Sequence, residues 1–145
     1  MKKRIFMVVC VSMLLLCSCN AKEQNQMKST TDQTVTLIND VQDADVWILP
    51  QTPENLKTTV WGRASASDVK KGESRLVPLC EPGDGGRYLL RMIDADGFFY
   101  SANGIALRAD RTIRIKETDT HAFSAEVTDE NGALQNTYEV FCARL

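Results

Sequence analysis

Residues 111–127 read RTIRIKETDTHAFSAEV. In the first half Ile113 and Ile115 alternate with Thr112, Arg114 and Lys116; in the second, Phe123, Ala125 and Val127 alternate with Ser124 and Glu126. A period of two places apolar side chains on one face of an extended chain and polar ones on the other, so both halves read as strands with one face on a core and one in water. The polar residues between them, around Thr118 to His121, are turn material.

Short apolar runs of the same kind recur at 34–38, 45–49, 75–77, 87–93, 98–101 and 136–141. No window of about a dozen residues carries a helical stripe. About eight short strands separated by turns predict an all-β domain, a single antiparallel β-sandwich over residues 34–145 with one core. The turns agree. Asp94-Ala95-Asp96-Gly97 and Asp129-Glu130-Asn131-Gly132 each end on the glycine that a hairpin loop needs at its left-handed position. Glu81 to Gly86 and Lys70 to Glu73 are further breaks.

The N-terminus reads MKKRIFMVVCVSMLLLCSC. Lys2, Lys3 and Arg4 precede an apolar run from Ile5 to Leu16, shorter than the roughly 20 residues a spanning helix needs. This is the layout of a secretory signal. Leu16, Ser18 and Cys19 together resemble the lipobox of bacterial lipoproteins, with Cys17 standing where Ala or Thr is more usual. The resemblance implies a signal peptide over 1–18, lipid on Cys19, and attachment to the membrane through that lipid. An ordinary cleaved signal is the alternative. Asn20 rather than Asp after the cysteine points to the outer membrane where a cell has one. Residues 19–33, NAKEQNQMKSTTDQ after the cysteine, are polar and without periodicity, and read as a flexible tether.

Of 17 basic residues, three leave with the signal, so 14 face 19 acidic ones, a net charge near −5. No basic cluster remains, which argues against nucleic acid as a partner.

Five cysteines fall into three sets: Cys10 and Cys17 in the signal, Cys19 at the lipid, and Cys80 with Cys142 in the domain. That last pair is a candidate disulfide in an oxidising compartment, closing a loop worth roughly 4 kcal/mol by chain entropy. Two separate buried thiols are the alternative.

Candidate chemistry is sparse. Asp94-x-Asp96-Gly97 has the alternate carboxylates of a calcium loop, but Phe98 and Ile105 occupy the fifth and twelfth positions where ligands belong. His121, the only histidine, has Asp119 and several hydroxyls nearby, yet no nucleophile elbow accompanies it. No two acidic residues are marked as a glycosidase pair. No metal, cofactor or catalytic residue is expected. Trp47 and Trp61 are candidate contact aromatics, with core filling as the alternative.

Leu37-Ile38-Asn39-Asp40, Ile48-Leu49-Pro50, Trp61-Gly62, Lys71-Gly72-Glu73-Ser74 and Tyr88-x-x-Arg91-x-x-Asp94-x-Asp96-Gly97-x-x-Tyr100 appear in that order. The pattern, over about residues 35 to 116, resembles small bacterial exported domains, often lipid-anchored, without assigned activity. It implies a compact β-sandwich and carries over no catalytic residue. The expectation is a non-enzymatic envelope module, binding an envelope protein or glycan or serving as a structural accessory. The rival readings are an envelope hydrolase using His121 or an acidic pair, and a calcium-dependent module using Asp94 and Asp96.

Overall fold

The structure is a computed structural model that describes residues 29–145. The signal peptide, Cys19 and most of the expected tether lie outside the described residues. The chain forms β1 (Ser29–Asp40), β2 (Ala44–Pro50), a single-turn helix α1 (Pro53–Lys57) and β3 (Ala66–Val69). β4 (Glu73–Cys80), β5 (Arg87–Asp94), β6 (Phe98–Ala106), β7 (Thr112–Glu117), β8 (Phe123–Thr128) and β9 (Leu134–Arg144) follow. A 3-10 turn covers Asp84–Gly86. β1 begins at Ser29, so the end of the segment expected as a tether is strand.

The all-β expectation holds, but the strands form one nine-stranded sheet in a nearly closed barrel rather than two stacked antiparallel sheets. Its order is β3-β2-β5-β6-β9-β8-β7-β1-β4. Two features convert the expected sandwich. β9 pairs with β8 through Leu134 to Val140 and with β6 through Phe141 to Arg144, so one strand joins two half-sheets. β1 lies parallel to β7, with Leu37 opposite Ile113 and Asn39 opposite Ile115. The other pairings are antiparallel.

The period-two reading sets which side chains fill the interior. Ile113 and Ile115 are fully buried opposite Val127 and Ala125, while Arg114 faces Glu126 on the outside. Val35, Leu37, Val46, Val77, Leu79, Leu90 and Met92 join the same core. At roughly 25 cal/mol per Å² of apolar area removed from water, this burial is the main favourable term in folding. β3 escapes the sequence pattern because Asp68 sits at φ 51 inside it. The irregularity spaces its buried residues, Ala66 and Val69, three apart rather than two.

Side chains tie together the seam between the two end strands. Arg75 of β4 donates to the Ser67 carbonyl of β3 at 2.5 Å. Asn39, fully buried, donates to the carbonyls of Val69 (3.0 Å) and Gln42 (2.6 Å) and accepts from the Val41 amide (3.1 Å). The Tyr88 hydroxyl donates to the Cys80 carbonyl at 2.6 Å, joining β5 to the end of β4. A Cβ on Gly83 would collide with the Gln51 backbone, which explains glycine there.

Candidate functional site

Register places four residues in one cross-strand row on the outer face: Trp47 of β2, Arg91 of β5, Ser101 of β6 and Phe141 of β9. The adjacent row runs Asp45, Ile93, Phe99, Ala143. Trp61, from the loop between α1 and β3, joins them. Its ring lies edge-to-face with Trp47 at 5.5 Å and stacks on Phe99 at 5.4 Å. Trp47 and Phe99 flank β5, so Trp61 bridges across that strand. The structure thus brings together both tryptophans singled out in the sequence.

The indoles are also hydrogen-bonded. Trp47 Nε1 donates to the Gly62 carbonyl and Trp61 Nε1 to the Thr58 carbonyl, each at 3.1 Å. Ser65 Oγ accepts the Ile48 amide at 2.9 Å. Thr52 caps α1 by accepting the Asn55 amide, and Asn55 reaches back to the Pro50 carbonyl. These bonds staple residues 51–65 to the outer face of β2. Leu49 and Leu89 are buried on that face, outside the main core cluster.

Arg91 belongs to this wall and is 7% exposed. Its Nη1 donates to the carbonyls of Leu90 (2.8 Å) and Ala102 (3.1 Å). Burial works against its charge and lowers its pKa. The backbone carbonyls supply the negative partner that no carboxylate does among the described residues. Phe141, in the same cross-strand row as Trp47, is 64% exposed, and Val60, next to Trp61 in the chain, is 80% exposed. Phe141 was legible from alternation in 136–141, because it shares parity with the exposed Glu139.

The other candidates occupy separate places. Asp94 is buried and used by its own hairpin. Its Oδ1 accepts the amides of Asp96 (3.0 Å) and Phe98 (2.9 Å), and its Oδ2 accepts the Tyr100 hydroxyl at 2.9 Å. Burial first, and then the Asp94 carboxylate, push the Tyr100 pKa up. Asp129 repeats the turn chemistry, accepting the amides of Asn131 and Ala133 at 2.9 Å each. Asp96 accepts a bond from Gln42 at 3.2 Å. No group of three or more His, Cys, Asp or Glu side chains with metal-binding geometry occurs among the described residues.

His121 sits at φ 58 on the exposed β7–β8 turn, its Nδ1 2.9 Å from Glu117 Oε1. Among the described residues no hydroxyl or thiol is hydrogen-bonded to its ring. Asp43, Asp45, Asp68 and Lys70 line a shallow cavity of about 380 Å³. Lys70 spans Asp68 (2.6 Å) and Asp43 (3.4 Å), and the Lys71 amide on Asp43 holds that carboxyl below its ordinary value.

No disulfide joins Cys80 to Cys142. Cys80 ends β4 and Cys142 lies in β9, and strands β8, β7 and β1 stand between them in the sheet. The candidate pairing, offered as an even pair in an oxidising compartment, is not formed in this structure. Burial raises both thiol pKa values, so neither is set up as a thiolate nucleophile.

Among the described residues no helix is long and apolar enough to cross a membrane. Comparison with protein-family models, curated proteins and solved structures finds no match for this chain.

Proposed function

We propose that this protein is a lipid-anchored envelope module that binds a partner and performs no chemistry of its own. Lipid on Cys19, after removal of residues 1–18, would hold it at the membrane surface, the outer membrane where a cell has one. The partner is an envelope protein. The observation that carries this reading is Phe141, largely in water in the same cross-strand row as Trp47, on the wall where Trp61 stacks on Phe99. Exposed apolar side chains grouped beside a rigid aromatic base are the composition of a contact surface. Trp61 and Phe99 stack on each other, which favours a protein over a glycan that would need those ring faces.

β1 begins at Ser29, opposite Cys80 at the end of β4, and the contact surface lies on the side wall.

Two measurements test the reading. Incorporation of labelled fatty acid should disappear in Cys19→Ser, and label that persists would reject the anchor. A photo-crosslinking amino acid at Phe141 should give a discrete adduct in intact cells. The same group at Leu76, as exposed but on β4, should give none. Equal adducts at both positions, or none at Phe141, would reject the contact surface.

A further inference from the structure

A second cavity of about 380 Å³ opens at the barrel end where β6 finishes and β9 starts. Arg108, Arg111, Gln135, Asn136 and Tyr138 supply its polar lining, and Leu107 and Val127 give it an apolar wall. Among the described residues no carboxylate lines it. Arg111 Nη1 is buried there without a hydrogen-bond partner, the one such side-chain atom among the described residues. Neither the Arg108 nor the Arg111 guanidinium forms an ion pair with a described residue. Among the described residues, every other arginine or lysine at least as buried has a partner: Arg75 meets Glu73, Lys116 meets Glu126, and Arg91 meets two carbonyls.

A buried donor left unsatisfied destabilises a fold, and more so when it is charged. Such an atom in a native fold calls for an explanation, and a missing ion is among the standard ones. A water molecule would satisfy the nitrogen but leave both charges without a counter-ion. Tyr138 adds a neutral donor. Its hydroxyl oxygen accepts from the Ala106 amide (2.9 Å) and from Asn136 Nδ2 (3.1 Å). Both lone pairs are then used, and its proton has no acceptor among the described residues.

We propose that this cavity binds a small anion through a carboxylate or phosphate group. Arg111 forms the charged contact inside, the exposed Arg108 draws the anion in at the rim, and Tyr138 donates its hydroxyl. A guanidinium presents parallel N–H groups that match both carboxylate and phosphate. The volume and the Leu107–Val127 wall suit a ligand that carries a short apolar body behind that group. This site is independent of the lipid anchor and of the Phe141 surface.

The test is a titration of the purified protein with inorganic phosphate, with butyrate and with chloride at constant ionic strength. It follows the arginine side-chain N–H resonances and the melting temperature. A saturable shift of the Arg111 signals with a rise in melting temperature, for phosphate or for butyrate but not chloride, is the expected result, and the effective anion identifies the head group. Arg111→Gln should weaken binding about 10- to 100-fold, the loss of one charge-assisted contact. Arg108→Gln, at an exposed position that leaves the fold intact, should weaken it less and decides the matter if Arg111→Gln does not fold. Equal, non-saturating shifts with all three anions would mean screening or water only and would overturn the proposal. So would unaltered affinity in both variants.

Discussion

The side wall buries Arg91 and the barrel end buries Nη1 of the half-buried Arg111, and the two places treat these guanidinium groups in opposite ways. On the wall, Arg91 lies on the face that Trp61 bridges and gives its protons to the Leu90 and Ala102 carbonyls. Both indole N–H groups beside it are also bonded. At the end, Arg111 Nη1 has no partner. The wall is chemically closed: its polar groups serve the fold, and what it offers a partner is apolar surface. The end is chemically open, and the difference separates a structural element from a ligand site without recourse to resemblance.

The largest expected effect breaks the wall. Trp61→Ala removes two aromatic contacts and the staple on residues 51–65, and should cost about 2–3 kcal/mol by urea unfolding. Proteolysis should then cut within 51–65 while the strand signal in circular dichroism persists. Unchanged stability would mean that the Trp61 ring is not a staple.

Tyr100→Phe tests the same accounting inside the barrel. It leaves Asp94 Oδ2 without its bond and should cost about 2 kcal/mol near neutral pH, since the acceptor is a buried carboxylate. The pH dependence has a definite sign. The folded protein raises the Tyr100 and Tyr88 pKa values above the ordinary 10.0. Their contribution is complete below that pH and is lost as pH rises past about 10, where the unfolded tyrosines ionise. Denaturation midpoints should fall above pH 10, less steeply in Tyr100→Phe. A parallel fall in both proteins would assign the alkaline loss to other groups.

Arg91→Met, the smallest effect on the wall, keeps the stem volume and removes two bonds to carbonyls. It should destabilise by about 1 kcal/mol in the same assay. A gain instead would mean that desolvation of Arg91 outweighs its bonds and that the wall is less closed than described.

Much of this architecture was legible as local pattern. Alternation at Ile113, Ile115, Ala125 and Val127 assigned the inward faces, and the Asp94 and Asp129 turns were readable from their Asp and Gly. Partnership was not legible, because a period of two says which face is apolar and not which strand lies alongside. Hence β9 serving two neighbours and β1 lying parallel to β7 emerge only in three dimensions. β3 was hidden by the left-handed Asp68, which breaks the period. Trp47 and Trp61 could be singled out as large aromatics, but the contacts of Trp61 with Trp47 and with Phe99 join three separate stretches of chain. Arg111 read as the start of a strand; that its guanidinium lacks a partner follows only from accounting for every donor around it.

The most direct test of the open and closed ends is the stability of Arg111→Met against the parent protein in buffer without phosphate or carboxylate. Removing an unpartnered buried guanidinium while keeping its apolar stem should stabilise the fold by about 1 kcal/mol, opposite in sign to Arg91→Met. Added anion should then raise the melting temperature of the parent alone. A less stable Arg111→Met in anion-free buffer would show that Arg111 already serves the fold, and would contradict the account.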